Sequence, residues 1–160
     1  MKQRSITSAF TLNGIGLHSG KEGQVRLSPA PINSGIQFSI RGGPTTRLSP
    51  KILSQDTLCT GISLGTEQLH TIEHLLAAIC GLGIDNIVID SSTNEIPILD
   101  GSAKDWVAAL VAATIEEQAS EKKMYSLNQP IDLSLGEAWL RVEPAKTLTV
   151  TAGIEFDHPL

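Results

Sequence analysis

The stretch TIEHLLAAICG at positions 71–81 decides the fold, because it predicts an amphipathic helix that leads directly into a buried strand. Its apolar side chains recur at the i, i+3, i+4, i+7 spacing of one helix face. The residues on that face are Ile72, Leu75, Leu76 and Ile79. Glycines at the end of the stretch supply the stop. Residues 84–90 then carry the β-branched run IVI, which is typical of a central strand.

Strands are predicted on both sides of this helix–strand unit. They dominate the first sixty residues, where residues 36–40 (IQFSI) alternate strictly between apolar and polar side chains. Residues 94–100 are interpreted as a strand edge, residues 103–117 as a second helix, and the polar residues 118–123 as a linker. Three further strand candidates follow at 127–135, 138–143 and 147–156.

These elements predict an α+β fold in which a layer of helices covers a β-sheet as a two-layer sandwich. Residues 1–122 are expected to form the first domain and residues 123–160 a linker with the opening strands of a second, similar domain. Three strands without a helix cannot cover both faces of a sheet. The second unit is therefore expected to be a truncated start.

Composition excludes several classes of function. The 160 residues carry twelve Lys and Arg against seventeen Asp and Glu, for a formal charge of −5, and only 4% are aromatic. An acidic chain with few aromatic residues argues against a nucleic-acid or anionic-membrane partner. No apolar run approaches the roughly 18 residues of a membrane span, and no secretion signal opens the chain. Two cysteines in ordinary sequence fit a reducing compartment, so a cytoplasmic location is expected.

The adjacent pair Glu73 and His74 is the most suggestive chemical feature. His74 could serve as a metal ligand while Glu73 acts as a base on a metal-bound water. His70 and His74 are four residues apart and could share a metal on one helix face. A lone histidine near a helix start is, however, more often a surface or hydrogen-bonded residue, so both interpretations stay open at this point.

Other candidate residues admit ordinary structural interpretations as well. The glycine-rich segment GIGLHSG at 14–20 departs from the dinucleotide-binding pattern, so His18 is either a site residue or an exposed imidazole. Asp100 could cap the second helix. Cys59 has no neighbouring cation in the sequence that would activate its thiol, and Cys80 is interpreted as a small core residue.

Five segments, read together, resemble one family. They are GIGLHSG (14–20), DTLCT (56–60), TIEHLLAA (71–78), GLGIDNIVI (81–89) and EIPILDGSA (95–103). In this order and at about this spacing they resemble the UDP-3-O-acyl-N-acetylglucosamine deacetylases of bacterial lipid A biosynthesis. The likeness runs from about residue 2 to FDHP at 156–159, which resembles an early strand of the family's second domain.

The resemblance implies a zinc-dependent hydrolase that removes the N-acetyl group of UDP-3-O-acyl-N-acetylglucosamine at a site between two similar domains. His74 matches the zinc ligand of the first domain, and Glu73 matches the general base. Asp100 and His18 match residues near the cleft, where orienting roles are expected. Leu58 and Cys59 match positions that line the substrate site, in a loop that is shorter here than in some members.

The family's remaining zinc ligands, its electrophilic Lys and its general-acid His come from a second domain, and that sequence does not occur in these 160 residues. The resemblance therefore implies a chain that holds only the first-domain half of the site and is inactive alone. A separate chain that carries the second half is an expected partner. The alternative is a truncated, non-catalytic or accessory module that keeps the fold without the activity.

Overall fold

A computed structural model describes residues 1–54 and 58–155 of the chain. The chain divides into two compact units, Met1–Lys122 and Lys123–Leu160, which are treated separately below. Asp56 and Thr57 of the DTLCT segment and the FDHP segment at 156–159 lie outside the described residues. The assignment of the second unit to a second family domain stays a prediction.

The first unit contains two α-helices and ten strands among its described residues. The strands are β1 (Lys2–Ile6), β2 (Phe10–Ile15), β3 (Glu22–Pro29), β4 (Ile36–Ile40), β5 (Thr46–Arg47), β6 (Leu53–Ser54), β7 (Gly61–Leu64), β8 (Glu67–Leu69), β9 (Ile87–Ser91) and β10 (Ile115–Glu121). The helices are α1 (Glu73–Gly81) and α2 (Lys104–Ala112), and a short 3-10 turn spans Pro50–Ile52. The prediction of an α+β fold is confirmed.

The main sheet has five strands in the order β2-β3-β9-β4-β5. Its third and central strand is β9, as the IVI run predicted. β9 pairs antiparallel with β3 and parallel with β4, and a parallel pair requires a crossover connection. Here the crossover carries α1 and the small sheet β6-β7-β8. The helix that opens with Glu73 therefore lies between β8 of the small sheet and β9 of the main sheet.

One hydrophobic core joins the main sheet to the two helices. The sheet contributes β-branched and aromatic side chains, and the helices contribute their apolar faces, as expected for a two-layer arrangement. Its largest fully buried side chains are Trp106, Phe38, Ile6, Leu27, Ile62, Leu69, Ile72, Leu75, Ile79, Ile87, Ile89 and Ile96. The predicted stripe of α1 packs into this core, with Ile72, Leu75 and Ile79 fully buried.

The predicted second helix and linker are wrong in part. α2 ends at Ala112, and Thr114 adopts a left-handed φ of 59°, which the helix cannot continue through. Ile115–Glu121 then forms β10, which pairs antiparallel with β1. Most of the polar segment that composition assigned to a linker is consequently part of a sheet.

Buried amides explain why such a polar sequence forms a strand. The Asn86 side-chain amide donates to Gln3 Oε1 at 2.8 Å and to Gln118 Oε1 at 2.6 Å. The Gln118 amide in turn donates to the Ala30 carbonyl at 2.9 Å. Gln3 and Asn86 are 7% and 1% exposed, so their polar atoms are satisfied within the protein. Hydrogen bonds between buried side chains therefore stabilise this strand, although its sequence lacks the alternating apolar pattern from which a strand is predicted.

Two other predicted strands are absent from the described residues. Residues 94–100 contribute only an isolated bridge between His70 and Glu95, because Pro97 and the turn after it interrupt a ladder. Residues 147–155 contain no strand. Among the described residues, no helix is long and apolar enough to span a membrane.

Among its described residues, the second unit contains one hairpin, formed by β11 (Ile131–Leu135) and β12 (Ala138–Val142). Its register pairs Ile131 with Val142 and Leu133 with Leu140, so apolar residues from both strands share one face. Every described residue of this hairpin is exposed.

Candidate functional site

Glu73 and His74 are the first two residues of α1, and both are half-buried. The Glu73 carboxylate accepts a hydrogen bond from the Thr60 backbone N–H at 3.1 Å. An acidic residue in the first turn is also favoured by the helix dipole. The Thr60 contact holds the carboxylate against the segment that contains Cys59, while the buried stripe of α1 fixes the helix beneath it.

A strained residue precedes this pair. Thr71 has a φ of 60°, a conformation that a β-branched residue rarely adopts, and it is 1% exposed. Such a conformation costs on the order of 1–3 kcal/mol and persists only where the surroundings enforce it. Here the Thr71 hydroxyl donates to Glu95 Oε1 at 3.3 Å, and the Ile72 N–H donates to the Thr60 carbonyl at 3.2 Å.

Glu95 also holds the turn that carries His18. Its two carboxylate oxygens accept the backbone N–H groups of His18 and Ser19, each at 2.8 Å. A Cβ added at Gly16 would overlap the same carboxylate, so this glycine permits a close approach that no other residue allows. The glycine-rich segment, which departs from the dinucleotide-binding pattern, is therefore a turn packed on a buried carboxylate.

The ionised form of Glu95 is favoured by these contacts. Burial by itself raises the pKa of this carboxyl, but the hydrogen bonds from His18, Ser19 and Thr71 outweigh burial and bring its pKa below the ordinary value. The side chain is 5% exposed, so it is a buried carboxylate whose charge is compensated by hydrogen bonds.

A groove of about 460 Å³ lies beside this carboxylate. Its walls combine two histidines, two cations and a thiol with polar side chains. The lining residues are His18, Ser19, Lys21, Arg41, Cys59, His70, Ser92, Thr93, Asn94 and Glu95. Of the residues predicted from the sequence, His18 and Cys59 meet here. Glu73, His74 and Asp100 are not among the lining residues, and Glu73 bonds to Thr60, the residue that follows Cys59 of the groove wall.

The capping role predicted for Asp100 is wrong. The residue at the N-cap position of α2 is Ala103, whose own side chain makes no capping hydrogen bond. Asp100 instead accepts the Ser102 N–H at 2.9 Å and the Ser102 hydroxyl at 2.9 Å, and these bonds hold its pKa below the ordinary value. Ser102 Oγ accepts the Lys104 N–H at 3.1 Å, so the serine satisfies the helix start.

The remaining predicted residues differ in their surroundings. Leu58 is 81% exposed and Cys59 is half-buried in the groove wall. His70, for which the sequence left a metal-ligand and a surface interpretation open, is half-buried, and its backbone pairs with residues 94–96. Cys80, predicted as a core residue, is exposed, because it follows Ile79 on the helix and points away from the buried stripe.

No three His, Cys, Asp or Glu side chains in residues 1–54 and 58–155 come together as a metal-binding group. Zinc sites normally use three or four protein ligands. The described part of this chain therefore does not fit a complete zinc site.

Glu95 is the residue that sequence reasoning missed. It follows the polar residues 91–94 and opens the apolar run IPIL at 96–99, where an acidic side chain must either face solvent or find buried donors. A carboxylate at the start of an apolar run was the available signal. Its donors at residues 18, 19 and 71 are distant in the sequence, so they could not be named from it.

The fold is an α+β domain that presents a half-buried carboxylate and imidazole at the start of a core helix. Comparison with known proteins then identifies the family. The model of the UDP-3-O-acyl N-acetylglycosamine deacetylase family (LpxC) matches residues 3–160. The chain belongs to this family.

Curated relatives agree with this assignment. A UDP-3-O-acyl-N-acetylglucosamine deacetylase of Acidithiobacillus ferrooxidans is 39% identical over 163 residues, which is 100% of this chain and 54% of that protein. Proteins of the same name from Psychrobacter sp. and Shewanella denitrificans are 36% and 40% identical, over 99% and 98% of this chain and 54% and 53% of their own lengths. The chain spans about half the length of the curated relatives that it matches.

Proposed function

We propose that this chain supplies the first-domain half of the active site of a deacetylase that hydrolyses the N-acetyl group of UDP-3-O-acyl-N-acetylglucosamine. The single observation that carries the proposal is the Glu73-His74 pair, held half-buried at the start of a core helix in a chain of this family. The names of the curated relatives supply the reaction and the substrate.

Glu73 is the proposed general base. It takes the proton of the water that attacks the amide carbonyl, so that the carbon–nitrogen bond can break to release acetate and the free sugar amine. Its bond to the Thr60 N–H supports this role, because a carboxylate fixed by one donor keeps lone pairs that can accept a proton. His18 and Asp100 stay predicted as orienting residues, and Leu58 and Cys59 as lining residues.

Zinc is the proposed cofactor of the whole protein, with His74 as one ligand and the other ligands supplied by sequence outside these 160 residues. A single imidazole cannot hold the metal tightly. We therefore expect the 160-residue chain to bind zinc weakly and to lose it on dialysis, as measured by metal analysis. Stoichiometric zinc after a chelator wash would contradict this expectation and point to His70 and His18 as missed ligands.

The base role is tested in a protein of the relatives' full length whose first half is this chain. Glu73→Gln keeps the shape of the side chain but removes the base, so kcat is expected to fall about 10²–10⁴-fold. His74→Ala should lower both kcat and the zinc content, whereas Glu73→Gln should leave the zinc content unchanged. Glu116→Gln on the exposed face of β10 is the matched control and should leave turnover unchanged. Near-normal turnover of Glu73→Gln would exclude the base role.

The second candidate is a non-catalytic module that keeps the fold. It is favoured by one observation, the absence of a three-residue metal-binding group among the described residues. Addition of a separately produced second half distinguishes the two candidates. Restored deacetylation supports the half-site, and binding without turnover supports the accessory module. The cytoplasmic location stays a prediction.

A further inference from the structure

The buried carboxylate of Glu95 touches two segments that are far apart in the sequence. On one side it accepts the backbone N–H groups of His18 and Ser19, both at 2.8 Å. On the other side it accepts the hydroxyl of Thr71 at 3.3 Å. Its own backbone is fixed by neighbours, since the Thr93 hydroxyl donates to the Glu95 carbonyl at 2.8 Å.

The Thr71 side of this arrangement leads directly to the Glu73-His74 pair. Thr71 lies two residues before the start of α1, and its positive φ sets the angle at which the chain enters the helix. Ile72 then donates its N–H to the Thr60 carbonyl, and the Thr60 N–H donates to the Glu73 carboxylate. Three hydrogen bonds, joined by the backbone of Thr71, Ile72 and Thr60, therefore connect Glu95 to the proposed base.

The other side of the arrangement fixes the position of His18. The imidazole itself is exposed on the wall of the groove, while the backbone N–H of the same residue is bonded to Glu95. Gly16 packs so closely on the carboxylate that a Cβ at this position would overlap it, so the turn lies directly on the Glu95 side chain. A charged acceptor suits this turn, because the two converging backbone N–H groups of His18 and Ser19 bind a carboxylate more strongly than a neutral side chain.

We propose that Glu95 is a positioning residue of the deacetylase site, whose buried carboxylate sets the places of both the His18 turn and the Glu73-His74 helix start. This inference rests on the proposed function for its consequence in the reaction, but its structural part stands on the hydrogen bonds alone. Glu95 acts through Thr71 and Thr60, and it does not itself move a proton.

The structural part is tested by ¹H–¹⁵N NMR of the 160-residue chain. In Glu95→Gln, the side-chain amide offers one oxygen to donors that now use two, so the amides of His18 and Ser19 should shift and exchange at least about tenfold faster. The amide of Thr60 should shift too, although Glu95 does not touch it. The amides of Leu27 and Ile89 in the main sheet should stay protected. An unchanged Thr60 amide would overturn the proposal.

A second pair of variants keeps the test valid if Glu95→Gln does not fold. Thr71→Val removes the hydroxyl and keeps the branched shape, whereas Thr71→Ser keeps the hydroxyl. Thr71→Val should shift the Thr60 amide and leave the exchange of His18 and Ser19 unchanged, and Thr71→Ser should resemble the wild type. Equal spectra for the two Thr71 variants at Thr60 would contradict coupling through this hydroxyl.

The consequence for the reaction is measured in the full-length protein described above. A small displacement of a catalytic group costs up to about 10²-fold in rate, so Glu95→Gln and Thr71→Val should lower kcat by about 10-fold or more, with Thr71→Ser near normal. If Glu73→Gln abolishes turnover and Glu95→Gln does not lower it, the positioning role fails and the proposed function stands. If Glu73→Gln leaves turnover intact, the base role of Glu73 fails, and the NMR result alone decides the structural role of Glu95.

Discussion

The hairpin β2–β3 in the first unit and the hairpin β11–β12 in the second have the same kind of sequence and different surroundings. In each, apolar side chains from both strands share one face of an antiparallel ladder. Val25 and Leu27 of β3 are fully buried, whereas Leu133 and Leu140 are 58% and 55% exposed. The first hairpin belongs to a sheet that helices cover, and no helix lies among the described residues of the second unit. Alternating apolar and polar residues produce a hairpin with one apolar face. That face becomes part of a hydrophobic core only where a second layer of structure packs against it.

The two tryptophans test this contrast most strongly. Trp106 in α2 is fully buried, and Trp139 in β12 is 76% exposed. Trp106→Ala should lower the free energy of unfolding of the first unit by about 3–5 kcal/mol, because it leaves a large cavity. Trp139→Ala should change it by less than about 0.5 kcal/mol. Chemical denaturation followed by far-UV circular dichroism measures both, and equal losses would mean that the second unit also has a packed core.

Trp106 offers a finer comparison as well. Its indole N–H is buried, and it is the one buried side-chain polar atom in the described part of the chain that has no hydrogen-bond partner. Trp106→Phe removes that donor together with some apolar area, so it should cost clearly less than Trp106→Ala.

The acid stability of the first unit should depend on Glu95. Its pKa is lower in the folded chain than in the unfolded chain, where it is about 4.3, so the unfolded state takes up a proton first as the pH falls. The stabilisation that ionised Glu95 provides is complete above the pKa of the unfolded state, and it is lost as the pH falls through the pKa of the folded state. Glu95→Gln should therefore be less stable by about 1–3 kcal/mol at pH 7, and the difference from the wild type should shrink toward pH 3.

Urea unfolding at several pH values, followed by fluorescence in a Trp139→Phe background, measures this difference. Glu121→Gln is the control, since its carboxylate also has a pKa below the ordinary value, caused by bonds to Lys2 and the N-terminal amine, but it is exposed. The loss of stability caused by Glu121→Gln should be much smaller than that caused by Glu95→Gln. A pH-independent difference for Glu95→Gln would show that the folded chain does not favour the ionised carboxylate.

The apolar face of the second hairpin should cause self-association of the 160-residue chain, because its side chains are exposed to water and its strand edges are unpaired. Leu133→Lys should weaken the association measured by sedimentation velocity. Ser134→Lys on the opposite face of the same strand is the matched control and should leave it unchanged. Equal effects of the two lysines would place the contact elsewhere.

Removal of residues 123–160 should have the smallest effect on the first unit. Every residue of the hydrophobic core lies at or before Ala113, so the shortened chain should unfold at nearly the same denaturant concentration and should be monomeric. A marked loss of stability would show that the second unit contributes to the first.

The residues that could be predicted are those whose role depends on neighbours in the sequence. The stripe of α1, the central strand β9 and the alternating strand β4 follow from local periodicity, and Glu73 and His74 were found because they are adjacent. β10 was missed because its polar side chains are satisfied by Asn86 and Ala30, which are distant in the sequence. The end of α2 was missed because the left-handed φ of Thr114 has no signal of its own.

The sequence by itself determined the fold class, the family and the half of the candidate site that lies on one helix, since periodicity and motif order are properties of the chain alone. Only the tertiary structure decided that Glu95 is buried, that His18 and Cys59 share a groove, and that Asp100 bonds to Ser102 rather than capping α2. A buried charge is stable only where donors converge on it, and that convergence is produced by packing segments that are up to 77 residues apart.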